Sequence, residues 1–166
     1  MRLQVTRDMF FVETLNEAYE EILRDLILGT FKLLRHTPLK LMGISRSEHY
    51  RIENIEKWHK IGHTLAPKSI WNDILENPGL NSMSITEAER RDGLNGYIRV
   101  QVEPSKRVHP GIFVLVNDHF EVNHPDKTHG GDEIINILET QWETSLMRSN
   151  QIITQLMEKL YGSGTK

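Results

Sequence analysis

The stretch Asp92-Gly93-Leu94-Asn95-Gly96-Tyr97-Ile98-Arg99-Val100-Gln101-Val102-Glu103 decides the fold. Gly after Asp or Asn supplies the positive φ that tight hairpin turns require, so this segment pairs antiparallel with the strand before it. Side chains alternate across a strand, which sets Ile98, Val100 and Val102 on one face and Arg99, Gln101 and Glu103 on the other. One face is core and the other is wet.

Working outward, strands are expected near Ser82 to Arg90 and, after the Pro104 to Pro110 connection, near Gly111 to Val122. Leu39 to Ile52 reads as a further strand, with Gly43 as a bulge or close-approach point. Residues 2 to 14 form a bent strand or short hairpin turning near Arg7-Asp8. A helix follows from the N-cap Asn16 to about Arg35. Its apolar residues spread over more than half the circumference, so its C-terminal half is expected to be the more deeply buried, and Thr37-Pro38 stops it. Glu53 to His63 and Lys68 to Leu75 are expected as short helices, the second opened by Pro67 and closed by Asn77-Pro78-Gly79. Consecutive strands flanked by helices point to an α+β fold: a two-layer sandwich, mainly antiparallel, with helices on one face.

The last element is one long amphipathic helix, Asp132 to Leu160, with a stripe of Ile135, Leu138, Trp142, Leu146, Ile153, Leu156 and Leu160. At 1.5 Å per residue it spans about 43 Å, against roughly 40 Å for a compact domain of this size. The stripe outruns the sheet, so a homodimer interface through Leu138, Trp142, Leu146, Ile153 and Leu156 is expected. Residues 1–161 are read as a single domain and 162–166, rich in Gly and Ser, as a flexible tail.

Composition narrows the function classes. The chain has 166 residues, a net charge of −3 and no cysteine. The charge gives no general drive toward nucleic acid or an anionic membrane. Lack of thiols removes disulfides, cysteine catalysis and Cys-ligated zinc, and it fits a reducing compartment. The N-terminus is punctuated by charges, and Arg24, Asp25, Gly29 and Lys32 break the most apolar run, so no signal or membrane span is expected and the address is read as cytoplasmic.

His59 and His63 stand four apart on a helix, the spacing of paired zinc ligands, with Lys60 where a metalloprotease carries its glutamate. The segment 118–129 carries His119 and His124 beside Asp118 and Glu121. Together they allow a divalent metal such as Zn or Mn, and with it a metal-dependent hydrolase in which Asp118 or Glu121 acts as base or ligand. The competing reading is a helix surface and a solvated loop. Arg90, Arg91, Arg99, Lys106 and Arg107 cluster at the hairpin turns as a conceivable anion site, but Glu87, Glu89, Asp92 and Glu103 among them favour cross-strand ion pairs. Ser105 near His109, and Ser45 before His49, each offer a hydroxyl and an imidazole without a nucleophile elbow. Gly93, Gly96 and Gly130-Gly131 fit turns and a helix entry, not a phosphate loop.

The leading expectation is a non-enzymatic module that binds protein or a small ligand and is homodimeric through the terminal helix, with the wet sheet face or the 104–110 and 123–131 loops open to a partner.

Overall fold

The computed structural model describes residues 1–123 and 130–162. The order of strands and α-helices is β1 (Arg2–Val5), β2 (Phe10–Glu13), α1 (Glu20–Leu33), β3 (Leu41–Arg51), α2 (Ile55–Leu65), β4 (Met83–Glu87), β5 (Gly96–Pro104), β6 (Gly111–Glu121) and α3 (Gly130–Gly162). The class is α+β. Two compact units share this chain: Met1–Met42 with Val122–Thr144, and Gly43–Glu121 with Ser145–Lys166. Both are discontinuous in sequence, and α3 gives its first half to one and its second half to the other.

In the second unit, four strands lie in the order β3-β6-β5-β4. β5 pairs antiparallel with β6, Gly96 opposite Phe120 and Pro104 opposite Ile112, and β4 pairs antiparallel with β5. The turn chemistry holds: Gly93 has φ +76° and Gly96 φ +128°, values a side chain resists. Asp92 supports the turn by accepting from Leu94 N at 3.2 Å. The alternation also holds, since Ile98, Val102, Ile112, Val114 and Val116 are buried together with Ile61 of α2 and Ile153, Met157 and Leu160 of α3. Helices therefore cover one face of this sheet, and the Trp58 indole fixes α2 by donating to Gly111 O at 2.8 Å.

Three elements have other boundaries than the sequence reading. Only Lys68–Ile70 is helical, as a single 3₁₀ turn. Its cap, Pro67, offers no side-chain acceptor, and Ile70, Trp71, Ile74 and Leu75 stay exposed, so no packing stabilises a longer helix. β4 is confined to Met83–Glu87 because Arg90 is drawn inward by acids. α2 spans Ile55–Leu65, not Glu53 to His63, because Asn54 caps it by accepting from Lys57 N at 2.8 Å.

The first unit pairs α1 with the start of α3. Arg24–Glu143 at 3.8 Å, Lys32–Glu139 at 2.6 Å and Arg35–Asp132 at 3.0 Å run in opposite order along the two helices, which makes the pair antiparallel. Leu23, Phe31, Val122, Ile134, Ile137, Leu138 and Trp142 form its buried set. β1 and β2 make a two-stranded antiparallel hairpin, Leu3 opposite Val12 and Val5 opposite Phe10. Phe10 meets the Phe31 ring edge to face, with centroids 5.2 Å apart.

The surplus length expected of the terminal helix is thus used inside the chain, because its first half belongs with α1 and not with the sheet. Of the five side chains expected at a dimer interface, Leu138, Trp142 and Ile153 are buried within the chain, while Leu146 and Leu156 are half-buried. No helix among the described residues is long and apolar enough to cross a membrane.

Candidate functional site

The sheet alternation decides where the sequence-predicted residues go. His59 and His63 are exposed on α2, in the helical layer that covers the core face through Ile61. His119 lies on β6, paired with Tyr97, on the opposite face from Val114, Val116 and Phe120. Its ring stacks on Tyr97 with centroids 4.3 Å apart, and the Arg99 guanidinium sits 4.9 Å from the same Tyr97 ring. Burial holds the His119 imidazole below its ordinary value, against the opposing pull of Glu121. The sheet separates His119 from the α2 pair. His124 lies outside the described residues, and among the described residues no group of three histidines or acids is placed to hold a metal.

Asp118, a candidate base or ligand, is fully buried on the core face and both its oxygens are committed. Oδ1 accepts from Arg90, and Oδ2 accepts from Arg148 Nη1 at 2.6 Å. Asp92 closes the ring, accepting from Arg90 Nη2 at 2.6 Å and from Arg148 Nη2 at 2.9 Å. Arg90 also donates to His119 O at 3.1 Å and lies over the Phe120 ring, its guanidinium carbon 4.2 Å from the centroid. The hydrogen bond from Arg90 holds the Asp92 carboxyl down at about 2, with burial opposing it. Two cations and two anions balance here, so the ring fastens the 88–95 turn to β6 and α3 and offers a ligand no unsatisfied charge. The arginine cluster read from sequence divides accordingly: Arg90 is internal, Arg91 pairs with Glu87 at 3.2 Å and Arg99 rests on Tyr97.

The hydroxyl and imidazole pairs sort differently from their order in sequence. Ser105 Oγ lies 2.8 Å from Nδ1 of His49, not beside His109, and Ser45 Oγ accepts from Asn117 Nδ2 at 2.7 Å. Burial, reinforced by Arg107, keeps His49 below its ordinary value, so its neutral ring can accept the serine proton. The geometry nevertheless argues against a nucleophile. Ser105 Oγ accepts from Arg107 N at 3.1 Å and from Val108 N at 3.0 Å. With its proton directed at His49, both lone pairs are occupied and none is left to attack a substrate. This serine organises the 104–110 connection. The cleft beside it, about 240 Å³, is lined by Asn81, Glu103, Pro104, Ser105 and Lys106. A larger cleft of about 410 Å³ carries Trp71, Leu75 and Leu80, with Lys68 as its sole titratable group.

The first unit presents a different kind of surface. Tyr19, at the start of α1, is 45% exposed, Ile22 53%, Leu26 38% and Leu33 87%, and these residues follow the 3-4-7 spacing of one helical stripe. Gly29 completes the stripe, and a Cβ there meets nothing within 4 Å. Leu23 and Phe31 bury the neighbouring face, so α1 is apolar toward its own core and also toward solvent. Leu3 and Val5 of the hairpin are more than half exposed as well. Exposed apolar side chains aligned along one helical face mark interaction surfaces. The apolar spread of this helix beyond half its circumference points to deeper burial of its C-terminal half; Phe31 is buried there, but Leu33 and Leu34 are exposed, because the core takes up only the Leu23–Phe31 face. Comparison of the chain with protein-family models, with curated proteins and with solved structures finds no match.

Proposed function

We propose that the protein is a non-enzymatic interaction module, working as a homodimer in the cytoplasm, whose recognition surface is the apolar stripe of α1. The single observation that carries this reading is the exposure of Ile22, Leu26 and Leu33 on one face of a helix whose other face is already packed. Full burial of such a side chain contributes about 1.5–3 kcal/mol. That favours a protein partner over water along this face. The α3 residues read from sequence as the interface are a poorer surface, since Leu138, Trp142 and Ile153 are already buried. Support on the enzymatic side is weaker: the Ser105 hydroxyl is saturated, and Asp118 is locked between two arginines.

Native mass spectrometry of untagged protein purified without chelator tests the reading. The expected result is a dimer without retained metal that becomes monomeric in Leu26→Glu, with unchanged circular dichroism. A monomer at all concentrations, or a mass excess matching a metal that is lost in His59→Ala, overturns it.

A further inference from the structure

We propose that the partner on α1 is the α1 helix of a second copy, packed antiparallel so that Leu26 of each chain fills the space over Gly29 of the other. This inference rests on the interaction-module reading and specifies its contact.

The stripe fixes the layers. With Tyr19, Ile22, Leu26, Gly29 and Leu33 in alternating three- and four-residue steps, α1 has the seam of a two-helix coiled coil. In an antiparallel pair the alternate seam positions face one another, which sets Ile22 against Leu33 and Leu26 against Gly29, each layer occurring twice about the two-fold axis. The Gly29 layer is the informative one. Among the described residues nothing lies within 4 Å of a Cβ placed there, so a leucine from the partner enters, where a side chain at that position would hold the helices apart.

Charge selects the direction. Asp25 and Lys32 flank the stripe on the same side, seven residues apart. An antiparallel pair brings Asp25 of each chain beside Lys32 of the other. A parallel pair sets Asp25 against Thr30 and Lys32 toward Thr37, beyond the end of α1, and forms no such contact. Lys32 already reaches Glu139 of its own chain at 2.6 Å, yet its side chain remains 56% exposed, and Asp25 is 64% exposed while paired with Arg24. Both are positioned to share a second partner. The acidic start of α1, with Glu20 and Glu21, also meets the Lys32 end of the opposite helix, in the sense the helix dipoles favour.

The cysteine-free chain makes the test direct. Full-length Ile22→Cys and Leu33→Cys proteins are mixed in equal amounts, oxidised and resolved without reductant. The mixed disulfide is expected to exceed either self-pair at least tenfold, and Asp25→Lys is expected to reduce it while Asp25→Lys combined with Lys32→Asp restores it. A dominant Ile22–Ile22 crosslink means a parallel pair and overturns the inference. No crosslink in a protein that native mass spectrometry shows to be dimeric, and monomeric in Leu26→Glu, overturns this helix pairing while the module reading stands. A monomer in both measurements removes both.

Discussion

Asp118 and Arg148 meet at 2.6 Å across thirty positions of sequence, a fully buried carboxylate on β6 held by a guanidinium from the second half of α3. The contact ties the helix layer to the core face of the sheet at the point where the apolar pattern of β6 is interrupted. Its surroundings explain how the charge is tolerated: Arg90 holds the other oxygen, and Asp92 pairs with both arginines.

Removing Asp118 leaves the Arg90 side chain, 1% exposed, with one acid in place of two. Asp118→Ala is expected to destabilise the fold by about 3–5 kcal/mol, as breaking a buried ionic network does. Arg148→Met should cost less, because Arg148 is 21% exposed and Asp118 retains Arg90. Urea unfolding of the two variants checks the order. Equal losses would mean that the ring does not act through burial of Arg90.

Acid should loosen the same ring. The Asp92 carboxyl is held down at about 2, below its ordinary 3.8, chiefly by the Arg90 hydrogen bond. A carboxyl with a depressed folded-state pKa contributes stability above its unfolded value, and the contribution is lost as pH falls through the folded value. Asp92→Asn should therefore flatten the stability profile between about pH 4 and pH 2, by an amount on the order of 2 kcal/mol. Denaturation midpoints measured across that window for wild type and variant decide it.

Tyr50 provides the alkaline counterpart. Burial, with a hydrogen bond to Glu48, pushes its hydroxyl up to about 12. Its neutral form is favoured in the folded chain, so this contribution is retained to pH 10 and lost as pH rises toward 12. Tyrosinate absorbance should show one late-titrating group in wild type, and that group should disappear in Tyr50→Phe.

Gly29→Ala separates folding from assembly. The position lies inside α1 with open space above it, so alanine should stabilise the monomeric fold by about 1 kcal/mol through helix propensity. The same methyl group intrudes on the Leu26 layer and should weaken self-association. Thermal melting at low concentration and sedimentation at high concentration should therefore move in opposite directions.

Ser105→Ala removes the acceptor for the amides of Arg107 and Val108. A loss of about 1–2 kcal/mol is expected, with faster amide exchange at both positions. A fluorophosphonate probe should leave the wild-type serine unlabelled. Labelling that depends on His49 would show an activated nucleophile in place of a turn-organising hydroxyl.

Much of the architecture was legible in local chemistry. The Asp92-Gly93 and Asn95-Gly96 pairs specify the hairpin that fixes β5, with both glycines at positive φ, and the alternation of Ile98, Val100 and Val102 specifies the core face. The strand expected over Leu39 to Ile52 and found at Leu41–Arg51 was equally local, whereas α1 ends at Leu33, ahead of the expected stop at Thr37-Pro38. The Lys68 to Leu75 helix failed because its pattern needed a surface to bury Ile70 and Ile74, and none is there.

The sequence by itself determined the class, the strand faces and the apolar character of α1 and α3, because turn torsions and side-chain periodicity are properties of neighbouring residues. Only the tertiary structure decided which apolar faces were spent inside the chain. It gave the first half of α3 to α1, buried Leu138 and Trp142, set His119 across the sheet from His59 and His63, and left the Tyr19–Leu33 stripe exposed. Which groups meet depends on how distant segments close on one another, and one-dimensional spacing does not encode that distance.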